Sequence, residues 1–221
     1  MRTKTILLTA ALAAAGIATS KAQTVYSVNS VGFVNVPLTT GYNLFSNPLN
    51  STNNSIQSLL TTLPNGTLLL TWNSGIQDFN NDTFFTGAGW FNGDGDSSTT
   101  VIPPGSGAFV QVAGANNILF VGEVMQGSLT NTIPSGLQIV SSQVPQAGTP
   151  TQLSLTNVSN GGALLKFNTA IQDYNTFTYF TGSGWFNEDG DPIEPVINVG
   201  EAVFVNFAGT TLWKRTFSVN N

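Results

Sequence analysis

Residues 76–96 read IQDFNNDTFFTGAGWFNGDGD, and residues 171–191 read IQDYNTFTYFTGSGWFNEDGD. Both copies carry a Thr-Gly-x-Gly-Trp-Phe-Asn core that continues into an Asp-Gly-Asp tail. At this constant shift of 95 residues (171 − 76), roughly a third of positions from Gly32 onward are identical without a gap. Such a period is too long for a solenoid and is typical of a tandem of small domains or of two halves of one pseudo-symmetric fold. We therefore predict two homologous units.

Within each unit the local patterns are mainly those of β-strands. Short runs of β-branched and aromatic residues alternate with Gly and Asn turns, which is the pattern of a sandwich or barrel. The segment NNSIQSLLTTLPNG is the one helix candidate, and its counterpart GTPTQLSLTNVSNGG is a poorer helix former. We therefore predict an all-β protein of two tandem β-sandwich or barrel-like units, residues 23–125 and 126–221, with at most one short helix per unit.

Alternation in one strand predicts that the two units pack together. In AFVQV, residues 108–112, Ala108 and Val112 fall on one face while Phe109 falls on the other, and VFVNF places Phe204 in the same way. Both faces of these strands are then apolar, and a large exposed apolar surface usually marks an interface. The linker between the units is also short, so we expect a shared interface rather than independent domains.

The first 22 residues have the features of a signal peptide. Arg2 and Lys4 give a basic start, an apolar run follows, and Ser20-Lys21-Ala22 supplies small residues before Gln23, the predicted mature start. The run is short for a membrane span, and the chain ends at Asn221 without a hydrophobic sorting tail. We expect a secreted or extracytoplasmic protein (periplasm, cell surface or medium) with no membrane span after signal removal.

Charge and composition exclude several classes of function. After cleavage, Lys166, Lys214 and Arg215 remain against 11 acidic residues, which gives 3 − 11 = −8. This balance argues against nucleic-acid binding, which requires a cationic surface. The chain has no histidine and no cysteine, which excludes Ser-His-Asp and Cys-His catalysis and the usual His/Cys zinc sites.

Several motifs in a fixed order resemble a known family. The chain contains VYSVNSVGFVNV, GYNLFSNPLN, a Gly-Trp loop, GSGAFVQV with FVGEV, and RTFSVN near its end. In this order the motifs resemble a family of small exported two-repeat proteins of verrucomicrobial bacteria. The resemblance covers essentially the whole mature chain and implies export and a repeat architecture. It implies no enzymatic activity and no substrate.

The aromatic residues of the repeated stretch suggest a ligand-binding surface. Trp90-Phe91 and Trp185-Phe186, together with Phe84-Phe85 and Tyr179-Phe180, could form a platform on which sugar rings stack beside polar side chains. The alternative is that these rings are core anchors, because a Trp in a small β domain buries a large apolar area. On the first interpretation the partner is a polysaccharide; another surface protein is the other candidate partner.

The acidic tails suggest a metal site. Oxygen ligands at alternate positions of a Gly-containing turn are the spacing that calcium loops use. The candidate ligands are Asn92, Asp94, Asp96, Asn187, Asp189 and Asp191. The pattern departs from an EF-hand, since position six is Ser97 or Pro192 and no Glu stands at the twelfth position. The alternative is an ordinary polar turn in which Asn and Asp cap their own backbone.

Paired carboxylates are the remaining route to catalysis. A glycosidase needs two carboxyl groups across one cleft in different environments, and symmetric acids borne on turns of both units do not fit this requirement. We therefore predict an exported, non-enzymatic structural or surface-interaction protein of the adhesion or matrix type. Carbohydrate binding through the Trp-Phe-Asn loops is the alternative, and a calcium-stabilised adhesin-like domain is the third hypothesis.

Overall fold

A computed structural model describes residues 30–219 of the chain. The predicted signal peptide and residues 23–29 lie outside the described residues. Between residues 30 and 219 the protein is nearly all β, with one four-residue helix. The predicted all-β class is therefore confirmed, and so is the limit of one short helix per unit.

The described strands divide into two sets of seven along the chain. The elements of unit 1 are β1 (Val31–Leu38), β2 (Gly41–Ser46), α1 (Ile56–Leu59), β3 (Leu68–Asn73), β4 (Asp78–Phe85), β5 (Gly89–Asn92), β6 (Gly107–Val112) and β7 (Asn116–Glu123). Those of unit 2 are β8 (Gly127–Ile133), β9 (Gly136–Val140), β10 (Gly162–Asn168), β11 (Asp173–Phe180), β12 (Gly184–Asn187), β13 (Val203–Phe207) and β14 (Thr211–Phe217).

Both units have the same sheet topology. In unit 1 a five-stranded antiparallel sheet has the order β2-β6-β3-β4-β5, and β1 pairs with β7 in a two-stranded ribbon. Unit 2 repeats this with a sheet of order β9-β13-β10-β11-β12 and a ribbon of β8 with β14. The internal sequence repeat is therefore a structural repeat, as predicted.

Each unit is a sandwich of its large sheet and its ribbon around a separate core. In unit 1, Val110 of β6 and Leu69 of β3 pack with Ile118 and Phe120 of the ribbon. In unit 2, Val205 of β13 packs in the same way in a core that contains ribbon residues. Along each strand these core residues alternate with residues that point away from the core, because successive side chains of a strand lie on opposite faces of the sheet.

The helix α1 is shorter than its apolar pattern suggests. The Ser55 hydroxyl caps it by accepting from the backbone N–H of Gln57 at 3.1 Å, and Ile56 is fully buried. The helix then ends at Leu59, because Thr61, Thr62 and Pro64 follow and neither β-branched residues nor proline favour another turn. Burial of the apolar side chains in this segment, rather than helix propensity, therefore fixes its conformation.

The two large sheets pack against each other through the faces that point away from their own cores. The inter-unit interface consists of a buried centre and partly buried surrounding residues. Its members are Tyr42, Leu44, Leu70, Trp72, Phe79 and Phe109 of unit 1, with Leu137, Ile139, Leu165, Phe167, Tyr174, Ala202 and Phe204 of unit 2. Phe109 and Phe204, whose ring centroids are 6.2 Å apart, lie at the centre. The predicted packing of the units is confirmed.

Hydrogen bonds across this interface follow an approximate twofold symmetry. The N–H of Ser46 donates to the carbonyl of Gly200 at 2.8 Å, and the N–H of Ser141 donates to the carbonyl of Gly105 at 3.0 Å. Ser141 is the counterpart of Ser46, and Gly200 that of Gly105, at the shift of 95 residues. Each unit therefore uses the same surface to bind the other, as in the isologous interface of a homodimer.

The outer edges of the two sheets are covered from the partner unit. The side-chain amide of Gln172 accepts from the N–H of Tyr42 at 2.8 Å and donates to its carbonyl at 3.1 Å, so it occupies the place of a neighbouring strand on β2. On β9 the indole N–H of Trp72 donates to the carbonyl of Leu137 at 2.7 Å. Edge strands with unpaired backbone groups promote aggregation, and these contacts reduce that exposure.

Gly107 lies at a tight contact between the two units. A Cβ at this position would overlap that of Ala202 and lie 2.8 Å from the carbonyl oxygen of Phe45. We expect Gly107→Ala to lower the free energy of unfolding by about 1–3 kcal/mol, because overpacking at a tight contact forces the backbone apart. Thermal and urea unfolding of the mature protein measure the change.

Gly114→Ala is the matched control for this substitution. Gly114 lies in the β6–β7 turn, an added Cβ would meet nothing within 4 Å, and its φ is not in the left-handed region. This control is expected to be neutral or slightly stabilising. Equal melting temperatures for the two variants would show that the units are not in close contact at Gly107.

Tyr174 makes the interface sensitive to alkaline pH. Burial among the aromatic rings, with a smaller contribution from the negative charge of Asp173, raises the pKa of Tyr174 to about 12. Below about pH 10 the phenol is neutral in both the folded and the unfolded chain, so the full stability is present. Between about pH 10 and 12 the unfolded chain ionises first, and the free energy of unfolding should fall.

We expect Tyr174→Phe to flatten this alkaline loss of stability, whereas Tyr179→Phe, in the core of unit 2, should retain the contribution of Tyr174. Melting temperatures recorded from about pH 8 to 12 test the prediction. It fails if wild type and Tyr174→Phe lose stability in parallel across that range.

Candidate functional site

The repeated stretch forms a hairpin at the far edge of each large sheet. In unit 1, β4 and β5 are joined by the turn that contains Gly87, and in unit 2, β11 and β12 are joined by the turn that contains Gly182. Gly87 and Gly182 have φ of 82° and 83°, a conformation that glycine adopts without a Cβ clash. The Thr-Gly-x-Gly motif is therefore explained by turn geometry.

The two tryptophans lie in the cores. Trp90 is fully buried and its indole N–H donates to the carbonyl of Leu60 at 2.9 Å, while Trp185 is 5% exposed. They pack against Phe84 and Tyr179, with ring centroids 5.3 and 5.4 Å apart. Rings buried in this way offer no face to a ligand, so the assignment of Trp90 and Trp185 to a stacking surface does not agree with their burial. The alternative interpretation, a core anchor, fits both positions.

The two phenylalanines that follow the tryptophans lie on the other face of the hairpin. Phe91 and Phe186 are half-buried, and they contact the rings of Phe85 and Phe180 at centroid distances of 5.8 and 5.5 Å. Phe85 and Phe180 are 45% and 43% exposed. The aromatic surface that the sequence suggested is thus formed by Phe85 with Phe91 and by Phe180 with Phe186, which we call the phenylalanine pairs.

The acidic tails form hydrogen-bonded turns. The side-chain oxygen of Asn92 accepts from the backbone N–H of Asp94 at 3.1 Å and of Asp96 at 2.9 Å. In unit 2, the side-chain oxygen of Asn187 accepts from the N–H of Asp191 at 2.8 Å. Asn92 and Asn187 therefore cap their own turns, which is the interpretation that requires no metal.

The carboxylates of these turns do not form a recognisable metal cluster. Among residues 30–219, no group of three or more acidic side chains is placed so that it could hold a metal ion. The carboxyl groups of Asp94, Asp96, Asp189 and Asp191 lie on exposed turns. Calcium binding by these six residues remains a prediction.

One acidic residue that the sequence analysis did not single out is buried. Asp82 of β4 is 2% exposed, and its Oδ2 accepts from the Thr100 hydroxyl at 2.8 Å. It lies opposite Asn92 in the β4–β5 pairing, beside a polar groove of 390 Å³ that Asp94 also lines. At the shift of 95 residues its counterpart is Phe177, which packs against the core of unit 2. Strand alternation places position 82 inward, and this is the signal that could have identified it.

Two of the three basic side chains between residues 30 and 219, Lys166 and Arg215, make specific local contacts. Lys166 forms an ion pair with Glu201 at 3.0 Å and donates to the carbonyl of Val196. The pair lines a cleft of 370 Å³ between the units. Arg215 donates to the side chain of Gln146 and lies over the ring of Phe217, 5.7 Å from its centroid. Partial burial lowers the pKa of Arg215.

The ribbon of unit 1 exposes an apolar surface, which we call the apolar ribbon face. It consists of Val31 (68% exposed), Phe33 (78%), Leu119 (57%) and Val121 (56%). Phe33 lies directly opposite Val121 in the β1–β7 register, and each of the other two lies two residues along the same strand. All four side chains therefore point to one side of the ribbon, away from the core. Strand alternation alone does not say which face of a strand is covered, so this surface is not predictable from the sequence pattern.

Three of these four positions are occupied by exposed polar residues in unit 2, where Leu212, 39% exposed, is the exposed apolar residue on this side of β14. At the shift of 95 residues, the counterparts of Phe33, Leu119 and Val121 are Ser128, Lys214 and Thr216, and all three are exposed. The two ribbons have the same fold, so the apolar side chains of unit 1 are not needed to form it. They are a property of unit 1 alone.

Comparison with known proteins finds no matching protein family, no matching curated sequence and no matching solved structure. The one helix between residues 30 and 219 is too short to cross a lipid bilayer.

The predicted calcium sites can be tested by thermal unfolding. If the acidic turns bind calcium, millimolar calcium should raise the melting temperature relative to chelator, since a ligand at 100 times its dissociation constant stabilises the fold by about 2.7 kcal/mol. Asp94→Asn and Asp189→Asn should each remove part of the increase, because they delete a charge and keep the side-chain shape. Ser97→Ala, next to one turn, is the control. Coincident wild-type curves in calcium and chelator would leave the loops as ordinary turns.

Proposed function

We propose that this chain is an exported, non-enzymatic protein that acts through surface interaction, as a structural or adhesive component outside the cytoplasm. The observation that carries the proposal is the apolar ribbon face. Val31, Phe33, Leu119 and Val121 are all more than half exposed and share one side of a two-stranded ribbon. A contiguous exposed apolar patch on the surface of a folded protein marks an interaction site.

The comparison between the units supports a role for this face. Unit 2 shows that Ser, Lys and Thr at the same positions are compatible with the ribbon, so the apolar residues do not serve the stability of the fold. Exposed Phe, Leu and Val favour association, because each removes apolar area from water when it is covered. The net negative charge of the chain keeps the rest of its surface soluble. The interaction would therefore be directed to one side of unit 1.

Carbohydrate recognition is the second candidate. The phenylalanine pairs favour it, because they place exposed aromatic rings at the same position in both units. In this proposal Phe91 and Phe186 keep the contact role that the sequence assigned to them, and Phe85 and Phe180 replace the tryptophans. A calcium-stabilised adhesin is the third candidate, and a higher melting temperature in calcium than in chelator would support it.

The proposed interaction surface can be removed with residues that unit 2 already carries. The triple variant Phe33→Ser, Leu119→Lys, Val121→Thr gives unit 1 the exposed side chains of unit 2. We expect it to fold with little change in melting temperature, since exposed substitutions are usually within about 0.5 kcal/mol each. The wild-type mature protein should cosediment with envelope fragments of the producing cells. The variant should bind these fragments at least about tenfold more weakly, which is a loss of about 1.4 kcal/mol of binding free energy.

The matched control is Ser128→Ala, Lys214→Ala, Thr216→Ala, which changes the same positions of unit 2 and should bind as the wild type does. The proposal is wrong if the wild-type protein does not cosediment, or if the unit 1 and unit 2 variants bind equally well.

A further inference from the structure

We infer that the two phenylalanine pairs are equivalent binding sites for sugar rings of an uncharged polysaccharide, so that one chain binds the polysaccharide at two points. This inference rests on the second proposed function, carbohydrate recognition by the phenylalanine pairs, and names the class of ligand for that surface, which is distinct from the apolar ribbon face.

The position of the pairs shows why they are exposed. Phe79 of β4 lies in the inter-unit interface, and Phe85, six residues further along the same strand, points to the same side of the sheet. Six residues of a strand span about 20 Å, which takes Phe85 past the edge of the interface. Tyr174 and Phe180 of β11 are related in the same way. Each large sheet thus extends beyond the other and leaves one aromatic pair uncovered.

The geometry of the rings suits stacking against a sugar. The planes of Phe85 and Phe91 meet at 71°, and those of Phe180 and Phe186 meet at 74°. In each pair the half-buried ring supports the exposed one and fixes its orientation. The face of an aromatic ring carries partial negative charge, which attracts the C–H groups on the apolar side of a pyranose. The nearly identical arrangement in both units means that either pair can bind the same kind of ring.

Polar groups lie beside the rings in both units. In unit 1 a groove of 650 Å³ runs along Phe85 and Phe91 and is lined by the neutral side chains of Asn81 and Thr83. At the equivalent positions of unit 2 stand Thr176 and Thr178, and the carboxylate of Glu188 accepts from the N–H of Thr176 at 2.8 Å. Amide and hydroxyl groups beside an aromatic surface can hydrogen-bond sugar hydroxyls, and a few such groups are what orient a ligand in a site.

The charges near both sites determine the class of glycan. The turn beside the unit 1 groove carries Asp94 and Asp96, and the equivalent turn of unit 2 carries Asp189 and Asp191. The described basic residues lie elsewhere, on β10 and β14. An anionic polysaccharide would meet like charges without compensation. A ligand that binds beside both phenylalanine pairs is therefore uncharged.

The duplication has a consequence for binding strength. When one site has bound a polymer, the second site can bind the same polymer molecule without a new encounter in solution. Binding at both sites is then about 10²- to 10⁴-fold stronger than binding at one site. Short oligosaccharides should therefore bind weakly with two per chain, whereas long polysaccharides should bind tightly.

The wild-type mature protein provides the first test. Isothermal titration calorimetry with cellohexaose, laminarihexaose and mannohexaose should show two equivalent sites for at least one of them. Gel retardation should be strong with the matching uncharged polymer among hydroxyethylcellulose, laminarin and mannan, and absent with alginate and hyaluronan. No binding to any uncharged glycan, or equal binding to the anionic ones, overturns the inference.

Substitutions then locate the sites. Phe85→Leu and Phe180→Leu keep apolar volume and remove the ring face, and each should reduce the oligosaccharide stoichiometry from two to one. The double variant should lose binding. Each single variant should bind the polysaccharide at least about 100-fold more weakly than the wild type. The matched control is Phe33→Leu, an exposed phenylalanine of the apolar ribbon face, which should bind glycans as the wild type does.

The outcomes also separate this inference from the proposed function. Glycan binding that survives in the folded double variant, or that Phe33→Leu removes, places the site elsewhere and overturns the inference. Envelope cosedimentation that depends on the apolar ribbon face, together with no glycan binding, overturns the inference and leaves the proposed function intact. If the leucine variants unfold, Thr83→Val with Thr178→Val tests the same grooves, and unchanged affinity in that variant counts against them.

Discussion

The face-to-face packing of the two large sheets is the constraint on which the rest of the structure depends. Each sheet has one face against its own core and a second face that is apolar from Leu44 through Phe109 to Phe79 in unit 1. An apolar face of this size cannot remain in water, so neither unit is complete alone. The twofold arrangement covers the apolar faces of both units at once. Each unit donates one backbone hydrogen bond to the other, from Ser46 in unit 1 and from Ser141 in unit 2.

This packing separates the positions that must stay alike in the two units from those that are free to differ. Phe109 and Phe204 occupy the centre of the interface and are identical, whereas Gly107 faces Ala202 because only one small side chain fits between the sheets there. Away from the interface the units diverge. Asp82 is buried with a Thr100 hydroxyl in one, and Phe177 fills the corresponding place in the other. The ribbons diverge in their exposed faces, which neither core constrains.

Much of the fold could be predicted from the sequence, because its signals are periodic. Alternation around Phe109 predicted a covered second face, and the repeat at 95 residues predicted two units with one topology. The functional surface was harder to predict. Trp90 and Phe91 are neighbours in a strand and therefore point to opposite sides, so they could not both be ligand contacts on one flat surface. Applying strand alternation to this dipeptide would have assigned one ring to the core. It would not have shown which one, because that depends on the three-dimensional position of the second unit.

The same reasoning distinguishes two kinds of exposed apolar residue. Phe85 and Phe180 are uncovered because each sheet extends past its partner, and both units keep the ring there although no core requires it. Phe33 and Val121 are uncovered on the ribbon, and their counterparts in unit 2 are Ser128 and Thr216, so the apolar character of these two positions belongs to unit 1 alone. A feature that both units share supports a duplicated contact with a repetitive ligand, and a feature in one unit supports a single directed contact. We therefore propose separate roles for the two kinds of surface, with a repeating polymer as the partner of the sheet edges and a different component as the partner of the unit 1 ribbon.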